Sequence, residues 1–205
     1  MKNYLKSGLV IFLTVTSAQL NAQLKSEYVF GINLSTMTVR SNGISYPAER
    51  PVSVHFGRYF EIPFNKYLFL HPSMLFSAKG TDYTHDSTDI SLAPIYFEIP
   101  VNVELRFGTR TFKMSVFGGP YFACGIGGYK IVTGSELRQL RYGSGDYYDL
   151  RRFDVGYNLG TGISIKGFRI SVQYGISLSN ISPLRTAGSE IKNQVIGITL
   201  STGGG

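Results

Sequence analysis

The sequence contains no tryptophan and a single cysteine, Cys124. One cysteine rules out an internal disulfide framework and a cysteine-based zinc cluster. After residue 24 there is no uninterrupted apolar run near the roughly 18 residues that a transmembrane helix needs, and there is no Leu- and Ala-rich helical stretch. What remains abundant is glycine, with 24 residues, and tyrosine and phenylalanine, with 14 each, a composition that suits a β-barrel.

Acidic residues are also few, 13 against 20 lysines and arginines, so the formal net charge is +7. Lys2 and Lys6 supply two of these charges at the N-terminal end, which leaves +5 for the rest of the chain. A basic chain can indicate nucleic-acid binding. Here the basic residues fall mostly in long gaps between patterned segments rather than along one helix or stripe, so we expect no nucleic-acid partner.

The first 22 residues have the parts of a secretory signal peptide. Lys2 and Lys6 precede the apolar run Gly8–Val15, and small residues follow. Cleavage is expected after Ala22, with Ala18 as the alternative. No cysteine lies near either point, so lipoprotein anchoring is not expected. The apolar run is too short to span a bilayer as a helix.

The clearest pattern that is present is an alternation of apolar and polar residues over residues 168–179. The even positions are Phe168, Ile170, Val172, Tyr174, Ile176 and Leu178. The odd positions are Arg169, Ser171, Gln173, Gly175, Ser177 and Ser179. Successive side chains of a strand point to opposite faces, so one face is apolar and the other is polar. With an export signal at the start, we expect the apolar face to contact lipid and the polar face to line a lumen.

Eight segments of this kind can be placed in the chain. They lie near residues 27–39, 52–62, 67–79, 91–107, 111–130, 150–165, 168–179 and 193–201. The gaps between them are alternately long and short, as in outer-membrane barrels with an even number of strands. The sequence therefore predicts an all-β fold over residues 23–205: an eight-stranded antiparallel up-and-down transmembrane β-barrel with short periplasmic turns and long extracellular loops.

The predicted lumen is narrow and polar. In hydrocarbon every backbone donor and acceptor must be paired within the protein, so the sheet must close. Eight strands close to a barrel whose interior side chains just fill. The same alternation assigns a lumenal polar network to Glu98, Asn102, Glu104, Arg106, Lys113, Asp154, Asn158, Arg169 and Gln173. Further inward candidates are His55, Glu61 and His71. Because buried charges must be paired, we expect ion pairs from Glu98 and Glu104 to Arg106, Lys113 or Arg169.

Four prolines fall within the predicted strands, where proline cannot donate to the ladder. They are Pro72, Pro94, Pro100 and Pro120. Each is expected at a bulge or beyond the level of the membrane, and a bulge would exchange the two faces after it. Aromatic residues near strand ends are expected to form interfacial belts. These are Tyr28, Tyr67, Phe69, Phe107 and Phe153.

Five segments together resemble one family of known proteins. They are Tyr96–Phe107 (YFEIPVNVELRF), Gly118–Tyr121 (GGPY), Arg152–Ile163 (RFDVGYNLGTGI), Arg169–Ile181 (RISVQYGISLSNI) and Lys192–Leu200 (KNQVIGITL). In this order and spacing they resemble the PorT-like family of outer-membrane β-barrel proteins, over about the whole mature chain. The resemblance implies a barrel in the outer membrane of a Gram-negative bacterium. The family's namesake is needed for cargo export by the type IX secretion pathway, and most relatives have no assigned role.

The chain departs from such barrels at its end. They commonly finish on an aromatic residue that the insertion machinery recognises, whereas this chain ends in Leu200-Ser-Thr-Gly-Gly-Gly. We expect either less efficient insertion through this end or a trimmed or altered terminus.

Two groups of residues could carry chemistry but are better explained without it. His71 and Ser73 lie on one face of one strand and contain the parts of an acyl hydrolase, but no orienting carboxylate is assured, so a lipid-modifying enzyme is the weakest alternative. The second group, in residues 80–90, is Asp82, His85, Asp86 and Asp89. Its spacing matches no defined calcium loop, so we expect a solvated loop, no metal and no cofactor.

The longest gap, residues 131–149, is the candidate for external contacts. The candidate contact residues there and just beyond are Arg138, Arg141, Tyr142, Tyr147, Tyr148, Arg151 and Arg152. Arginine and tyrosine are frequent in contact hot spots, and arginine also suits the phosphates of lipopolysaccharide. A flexible exposed loop with lipid contacts only is the alternative.

These observations together predict a monomeric, non-catalytic outer-membrane protein with a structural or partner-binding role. Association with protein secretion is the more specific form of this hypothesis. The expected partners are outer-membrane lipid, lipopolysaccharide and proteins of a secretion complex. A narrow pore for small solutes is the alternative function.

Overall fold

The computed structural model describes residues 25–41, 44–46, 48–85, 88–134, 136–184 and 189–202. The expected signal peptide, residues 1–22, and the final three glycines lie outside these ranges. Within the described ranges, no helix has the length and apolarity needed to cross a bilayer.

The described residues form twelve strands. They are β1 (Lys25–Ser41), β2 (Ile44–Tyr46), β3 (Ala48–Glu49), β4 (Val52–Pro63), β5 (Leu68–Ala78), β6 (Thr81–His85), β7 (Thr88–Gly108), β8 (Phe112–Val132), β9 (Arg138–Gln139), β10 (Phe153–Ile165), β11 (Phe168–Ser177) and β12 (Glu190–Thr202). The eight long strands correspond to the eight predicted segments, and each end lies within three residues of its expected position.

The eight long strands close into a ring of antiparallel neighbours. The order around the ring is β1, β4, β5, β7, β8, β10, β11 and β12, and β12 returns to β1. This last pairing is continuous from Tyr28 opposite Thr202 to Arg40 opposite Glu190. The predicted fold class is therefore confirmed: the ring has no free edge, as a sheet surrounded by hydrocarbon requires.

The two faces of the wall have the polarity expected of a membrane barrel. Along β11 the outward residues Phe168, Ile170 and Val172 are exposed, whereas Arg169 and Ser171 are buried. This arrangement is the inverse of a water-soluble domain, in which exposed strand positions are polar. The apolar outer face and the polar interior follow from the same period of two.

The short and long connections lie at opposite ends of the barrel, as predicted. Residues 64–67, 109–111 and 166–167 make the short turns. The shortest turn has two left-handed residues, Lys166 with φ 48° and Gly167 with φ 87°. Positive φ at both central residues defines the type I′ turn that suits the twist of a hairpin.

The long connections are more ordered than the sequence pattern indicates. The predicted 80–90 loop is a hairpin instead, because β6 pairs with the start of β7 from Thr81–Leu92 to His85–Thr88. The small strands β2, β3 and β9 likewise extend the wall at this end. Beyond the membrane a strand needs no apolar face, so these strands carry no alternating pattern that could reveal them.

One proline lies beside a bulge, as expected. In the pairing of β7 with β8, Ile95 is opposite Gly127 but Tyr96 is opposite Gly125, so Ile126 is the extra residue. Pro94 lies directly before this irregularity. The outward side chains of β8 change from even positions to odd positions after it, as the exposed Ile126 and Tyr129 show.

The other three prolines lie in paired strands at interruptions of the ladder. Pairing of β5 with β7 stops at Pro72–Val101 and resumes at Leu75–Glu98, and Pro100 falls within this interruption. Pairing of β7 with β8 is interrupted between Pro100–Tyr121 and Val103–Gly118, where Pro120 lies. The missing N–H of each proline is thus accommodated by a local gap rather than by a position outside the membrane.

Four of the five expected belt residues face outward. They are Tyr28, Tyr67, Phe107 and Phe153. The prediction was wrong for Phe69, which is buried in the lumen with its ring 4.1 Å from the Arg106 guanidinium carbon. Phe69 shares the inward face of β5 with His71 and Ser73, so its position in the alternation determines its side.

Candidate functional site

A network of buried charges fills the end of the lumen nearest the short turns. Glu104 of β7 is its centre: its Oε2 lies 2.7 Å from His71 Nε2, 3.1 Å from Arg106 Nη2 and 3.0 Å from Arg169 Nη1. Arg106 also contacts Glu61 of β4, with 2.7 Å between Nη2 and Oε2. These five side chains come from four strands, so the network connects the walls of the barrel across the lumen.

The proton of His71 can be assigned from its neighbours. Nε2 lies 2.7 Å from the Glu104 carboxylate and 3.3 Å from Arg106 Nη2. A carboxylate only accepts and a guanidinium only donates, so the short contact requires that Nε2 carry the proton and donate it to Glu104. The Arg106 contact with this nitrogen is therefore not a hydrogen bond.

Lys79, which was not among the predicted lumenal residues, pairs with Glu98 in the middle of the lumen. Lys79 Nζ lies 2.7 Å from Glu98 Oε2 and 4.6 Å from the centre of the Tyr121 ring. Both charged side chains are almost completely buried. The expected cations for Glu98 were wrong. Lys79 follows β5 directly and continues its inward odd-numbered face, so the alternation contained the signal.

Asp154 of β10 forms a second buried polar centre. Its carboxylate accepts hydrogen bonds from Ser177 Oγ at 2.5 Å, Ser179 Oγ at 2.8 Å, Asn193 Nδ2 at 2.8 Å and Tyr121 Oη at 3.2 Å. No cation of the described residues lies within 4 Å of it. Four donors thus replace an ion pair as the compensation for burying this carboxylate.

The remaining predicted lumenal residues are placed as follows. Asn102 and Asn158 are buried, and Gln173 is half-buried. Lys113 is half-buried at the second position of β8, close to a short turn, and it makes no ion pair within the described ranges. Of the three expected cations, Arg106 and Arg169 pair with Glu104, whereas Lys113 lies opposite Gly108 beside the short turn.

A third polar group lies at the junction of the first and last strands. His55 contacts Asn33 Oδ1 at 2.7 Å through Nδ1 and Thr199 Oγ1 at 2.9 Å through Nε2. Nearer the short turns, Ser201 Oγ donates to Glu27 Oε2 at 2.7 Å. Asn33 and Glu27 were not selected from sequence, although both occupy the inward positions of β1.

The lumen is closed rather than open. The cavity among Asn33, His55, Lys79, Glu98 and Tyr121 measures about 10 Å³, which is room for about one water molecule. Above it, at the end with the long loops, an apolar cluster covers the mouth. Its members are Met37, Val39, Leu92, Leu140, Leu150 and Ile181. Leu140, Leu150 and Ile181 come from the long connections, so these connections fold inward over the barrel.

The longest connection is held by a bidentate ion pair. Arg138 Nη1 and Nη2 donate to the two carboxylate oxygens of Asp149 at 2.7 Å and 2.6 Å. The Arg141 backbone N–H donates to the same carboxylate at 3.0 Å, and Lys130 Nζ lies 3.3 Å from it. Burial raises the pKa of Asp149, but these donors outweigh burial and hold the pKa below its ordinary value.

Tyr142 anchors the same connection to the barrel. Its hydroxyl donates to the Gly127 carbonyl at 2.7 Å, and its ring lies 6.4 Å from the ring of Tyr96. The Arg152 guanidinium lies 5.8 Å from the Tyr142 ring centre. Burial raises the pKa of Tyr142, so its hydroxyl stays protonated and remains a donor at neutral pH.

The seven candidate contact residues have different roles. Arg138 and Tyr142 hold the connection in place, whereas Arg141, Tyr147, Tyr148 and Arg152 are exposed and make no ion pair among the described residues, and Tyr147 is 85% exposed. Arg151 is half-buried, and its backbone N–H donates to the Ile181 carbonyl at 2.8 Å.

Replacing Asp149 by asparagine is expected to loosen this connection at neutral pH. A carboxyl whose pKa falls on folding stabilises the folded form above its unfolded pKa of about 3.9, and the contribution disappears as the pH falls through the lower folded value. With Arg138 partly exposed, we expect a loss of about 1–2 kcal/mol, or about 5–30-fold faster amide exchange. Hydrogen exchange of residues 137–152, compared with the intrinsic rate at each pH, measures it.

The matched control for this prediction is Asp146→Asn, because Asp146 is exposed in the same connection. In the Asp146→Asn variant, the amides of residues 137–152 should exchange at the wild-type rate. As the pH falls through the lowered folded pKa of Asp149, the difference between the wild type and Asp149→Asn should shrink, and it should vanish once the carboxylate is protonated in both states. Equal exchange of the two proteins at pH 7 would contradict the proposed role of the ion pair.

The two groups of residues that could carry chemistry, His71 with Ser73 and the acidic group in residues 80–90, also have defined surroundings. Ser73 Oγ donates weakly to the His71 carbonyl at 3.5 Å, while His71 Nε2 is occupied by Glu104. In the other group, Asp89 accepts a hydrogen bond from Thr84 at 2.7 Å, and Asp86 lies outside the described residues. No cluster of three or more metal-ligating side chains occurs in the part of the chain that the structure describes.

The fold and the filled lumen define a class: an eight-stranded transmembrane barrel with a polar, plugged interior. Residues 17–182 match the sequence profile of the family described as outer membrane protein beta-barrel domain. The chain belongs to this family and is an outer-membrane protein. A comparison with curated proteins gave no match.

Solved structures of outer-membrane proteins are similar in fold at low sequence identity. Ail, the attachment invasion locus protein of Yersinia pestis, is 12% identical over 86% of this chain and 97% of its own, with a TM-score of 0.43. Neisserial surface protein A is 13% identical over 86% and 96%, with a TM-score of 0.45. OprG from Pseudomonas aeruginosa is 10% identical over 88% and 91%, with a TM-score of 0.42.

Proposed function

We propose that this protein is a non-catalytic, monomeric outer-membrane barrel that presents its longest extracellular connection to a protein partner. The single observation that carries the proposal is the combination of a plugged lumen with an ordered, exposed connection over residues 137–152. The bidentate Arg138–Asp149 pair fixes this connection, and Tyr147 and Tyr148 project from it. A preorganised aromatic surface loses little conformational entropy on binding, which favours specific recognition.

The proposal assigns the partner to protein secretion, as the PorT-like resemblance implies. That resemblance rests on five segments of the sequence, and all five lie wholly or mostly in strands of the barrel wall. Participation in type IX secretion is the most specific claim of the proposal. The proposal also includes export by an N-terminal signal peptide over residues 1–22 and contact with lipopolysaccharide.

The absence of catalysis is part of the same proposal. An acyl hydrolase needs a hydrogen bond between its nucleophile and its base. The Ser73 hydroxyl instead approaches a backbone carbonyl, and the ring nitrogen of His71 is held in the charged network. This geometry supports a structural role for both residues.

The experiment is affinity isolation from gently solubilised membranes, using the full chain and the variant Tyr147→Ala, followed by an assay of secreted cargo in a deletion strain complemented with each. We expect one protein to co-purify with the wild type and to be reduced about tenfold with the variant, since an exposed aromatic anchor is typically worth more than 1 kcal/mol. Leu184→Ala, an exposed residue of another long connection, is the matched control. A deletion strain with normal secretion would contradict the secretion assignment.

Conductance of the purified barrel in planar bilayers distinguishes the alternative of a narrow pore. The charged network and the apolar cluster leave a cavity of only about 10 Å³ at the level of His55 and Glu98. We expect no channel events. Reproducible unitary currents would instead indicate a pore, and they would contradict the proposal that the lumen is plugged.

A further inference from the structure

A groove opens at the outer rim of the barrel where β8 changes its neighbour. On this side β10 begins to pair with β8 at Phe153–Cys124, whereas further up β9 pairs at Gln139–Tyr129. On this side of β8, no described strand pairs with the interval between these two pairings, while β7 continues along the other side. The resulting groove has a volume of about 510 Å³.

The groove is formed by a glycine-rich interval, Gly125–Gly128. A Cβ on Gly125 would lie 2.3 Å from the Tyr142 ring, and one on Gly128 would lie 2.5 Å from the Ala93 carbonyl. Both glycines therefore permit close packing. Gly127 differs, because a Cβ there would meet nothing within 4 Å and would enter the open space of the groove.

The electrostatic character of the groove is positive. Arg141 and Arg152 line it, and no acidic residue is among its described lining residues. The neighbouring carboxylate, Asp149, is already paired with Arg138 and Lys130. Neither Arg141 nor Arg152 has a carboxylate partner within the described ranges, so both guanidinium groups are available to an anion.

The lower end of the groove is continuous with the lipid-facing wall. Ile126 and Tyr129 line it and point outward, each about half exposed. Phe122 and Phe153, whose rings are stacked with centroids 5.6 Å apart, lie just below on the outer face. A ligand in this groove would therefore contact arginines at one end and an aromatic, apolar surface at the other.

We propose that this groove binds the phosphate of a phosphorylated glycolipid of the outer leaflet. Arginine forms charge-assisted hydrogen bonds to phosphate oxygens, and outward aromatic residues at this level suit the region between headgroups and acyl chains. The inference rests on the proposed function in one respect: it turns the general contact with lipopolysaccharide into a defined site. It does not require a protein partner or a role in secretion.

The test is native mass spectrometry of the full-length mature barrel after mixing with bis-phosphorylated lipid A or with lipid A whose phosphates have been removed. We expect each barrel to retain one bis-phosphorylated lipid. Retention of the dephosphorylated lipid should be weaker by about tenfold or more. The double variant Arg141→Gln with Arg152→Gln should lose about tenfold or more of the retention. Gly127→Phe should lose a similar amount by filling the groove.

The control variant, Arg50→Gln with Arg110→Gln, removes the same number of charges at exposed positions away from the groove. It should retain lipid like the wild type, and inorganic phosphate at millimolar concentration should not displace the lipid. Equal retention by the wild type and both groove variants, or an equal loss in the control, would overturn the site. A difference in electrophoretic mobility between heated and unheated samples of each variant confirms that the barrel is folded.

The two proposals fail separately. If the groove variants lose lipid A while partner isolation and secretion are normal, the site stands without the partner. If Tyr147→Ala loses the partner and the groove variants retain lipid A, the partner surface stands and the lipid site is wrong.

Discussion

Replacing Glu104 by glutamine is expected to lower the free energy of unfolding of the barrel by about 3–5 kcal/mol. The Glu104 carboxylate is buried and contacts His71, Arg106 and Arg169 within 3.1 Å. The amide has nearly the same size but no charge, so Arg169 would remain buried without a carboxylate. Losing one partner of a buried ion pair costs more than the pair contributes, because the other charge stays desolvated.

Equilibrium unfolding in urea, with the barrel refolded into detergent or lipid vesicles, measures this change. Circular dichroism is the suitable signal because the chain has no tryptophan. Glu190→Gln is the matched control: Glu190 pairs with Arg40 and Lys192 at the partly exposed start of β12, and such pairs are worth about 1 kcal/mol or less.

The double variant Glu104→Met with Arg169→Met separates the ion pair from the packing of the two side chains. Removing both charges leaves no unpaired ion at this contact, so the double variant should be more stable than the sum of the single variants by about 0.5–3 kcal/mol. Strict additivity of the two single changes would show that the charges do not interact, contrary to the geometry of the network.

Replacing Val172 by arginine is expected to destabilise the barrel by about 2–4 kcal/mol, because the new charge would face the middle of the bilayer. Val172 is an outward residue halfway along β11, opposite Thr161 of β10 and Ile198 of β12. In a water-soluble sheet the same substitution at an exposed site would change stability by less than about 0.5 kcal/mol. The size of the effect therefore reports whether lipid covers this face.

Unfolding in lipid vesicles again supplies the measurement. Tyr147→Arg, at the most exposed part of the long connection, is the control and should leave the stability unchanged. Leu200→Arg, near the end of β12 at the short-turn side, should cost less than Val172→Arg because arginine reaches the headgroups from there. A negligible effect of Val172→Arg would mean that this wall does not lie in hydrocarbon.

Strand positions were predictable because the membrane imposes one rule along the whole wall. A lipid-facing residue must be apolar and its neighbours face a polar lumen, so β11 shows its period of two in every residue from Phe168 to Ser177. The rule ends where the wall leaves the membrane. The hairpin of β6 with the start of β7 is rich in polar residues and packs only a few apolar side chains on the cluster over the mouth, so the pattern indicated a loop there.

The ion-pair partner of a lumenal residue was harder to predict than the fact that the residue faces the lumen. Alternation places Glu98 inward, but its partner depends on which strand lies opposite and on how far a side chain reaches across. Lys79 makes the contact at 2.7 Å, whereas the expected candidate Lys113 lies close to a short turn. A pattern along one strand contains no information on distances across the barrel.

The sequence by itself determined the outer membrane as the location, the eight strands and the side that most residues of the wall face, because the contact with lipid selects an apolar side chain at each outward position. Only the tertiary structure decided that long connections cap the mouth, that Asp149 holds the longest of them, and that a positive groove opens beside Gly127. These features depend on contacts between residues distant in the chain, whose geometry exists only once the ring of strands has closed.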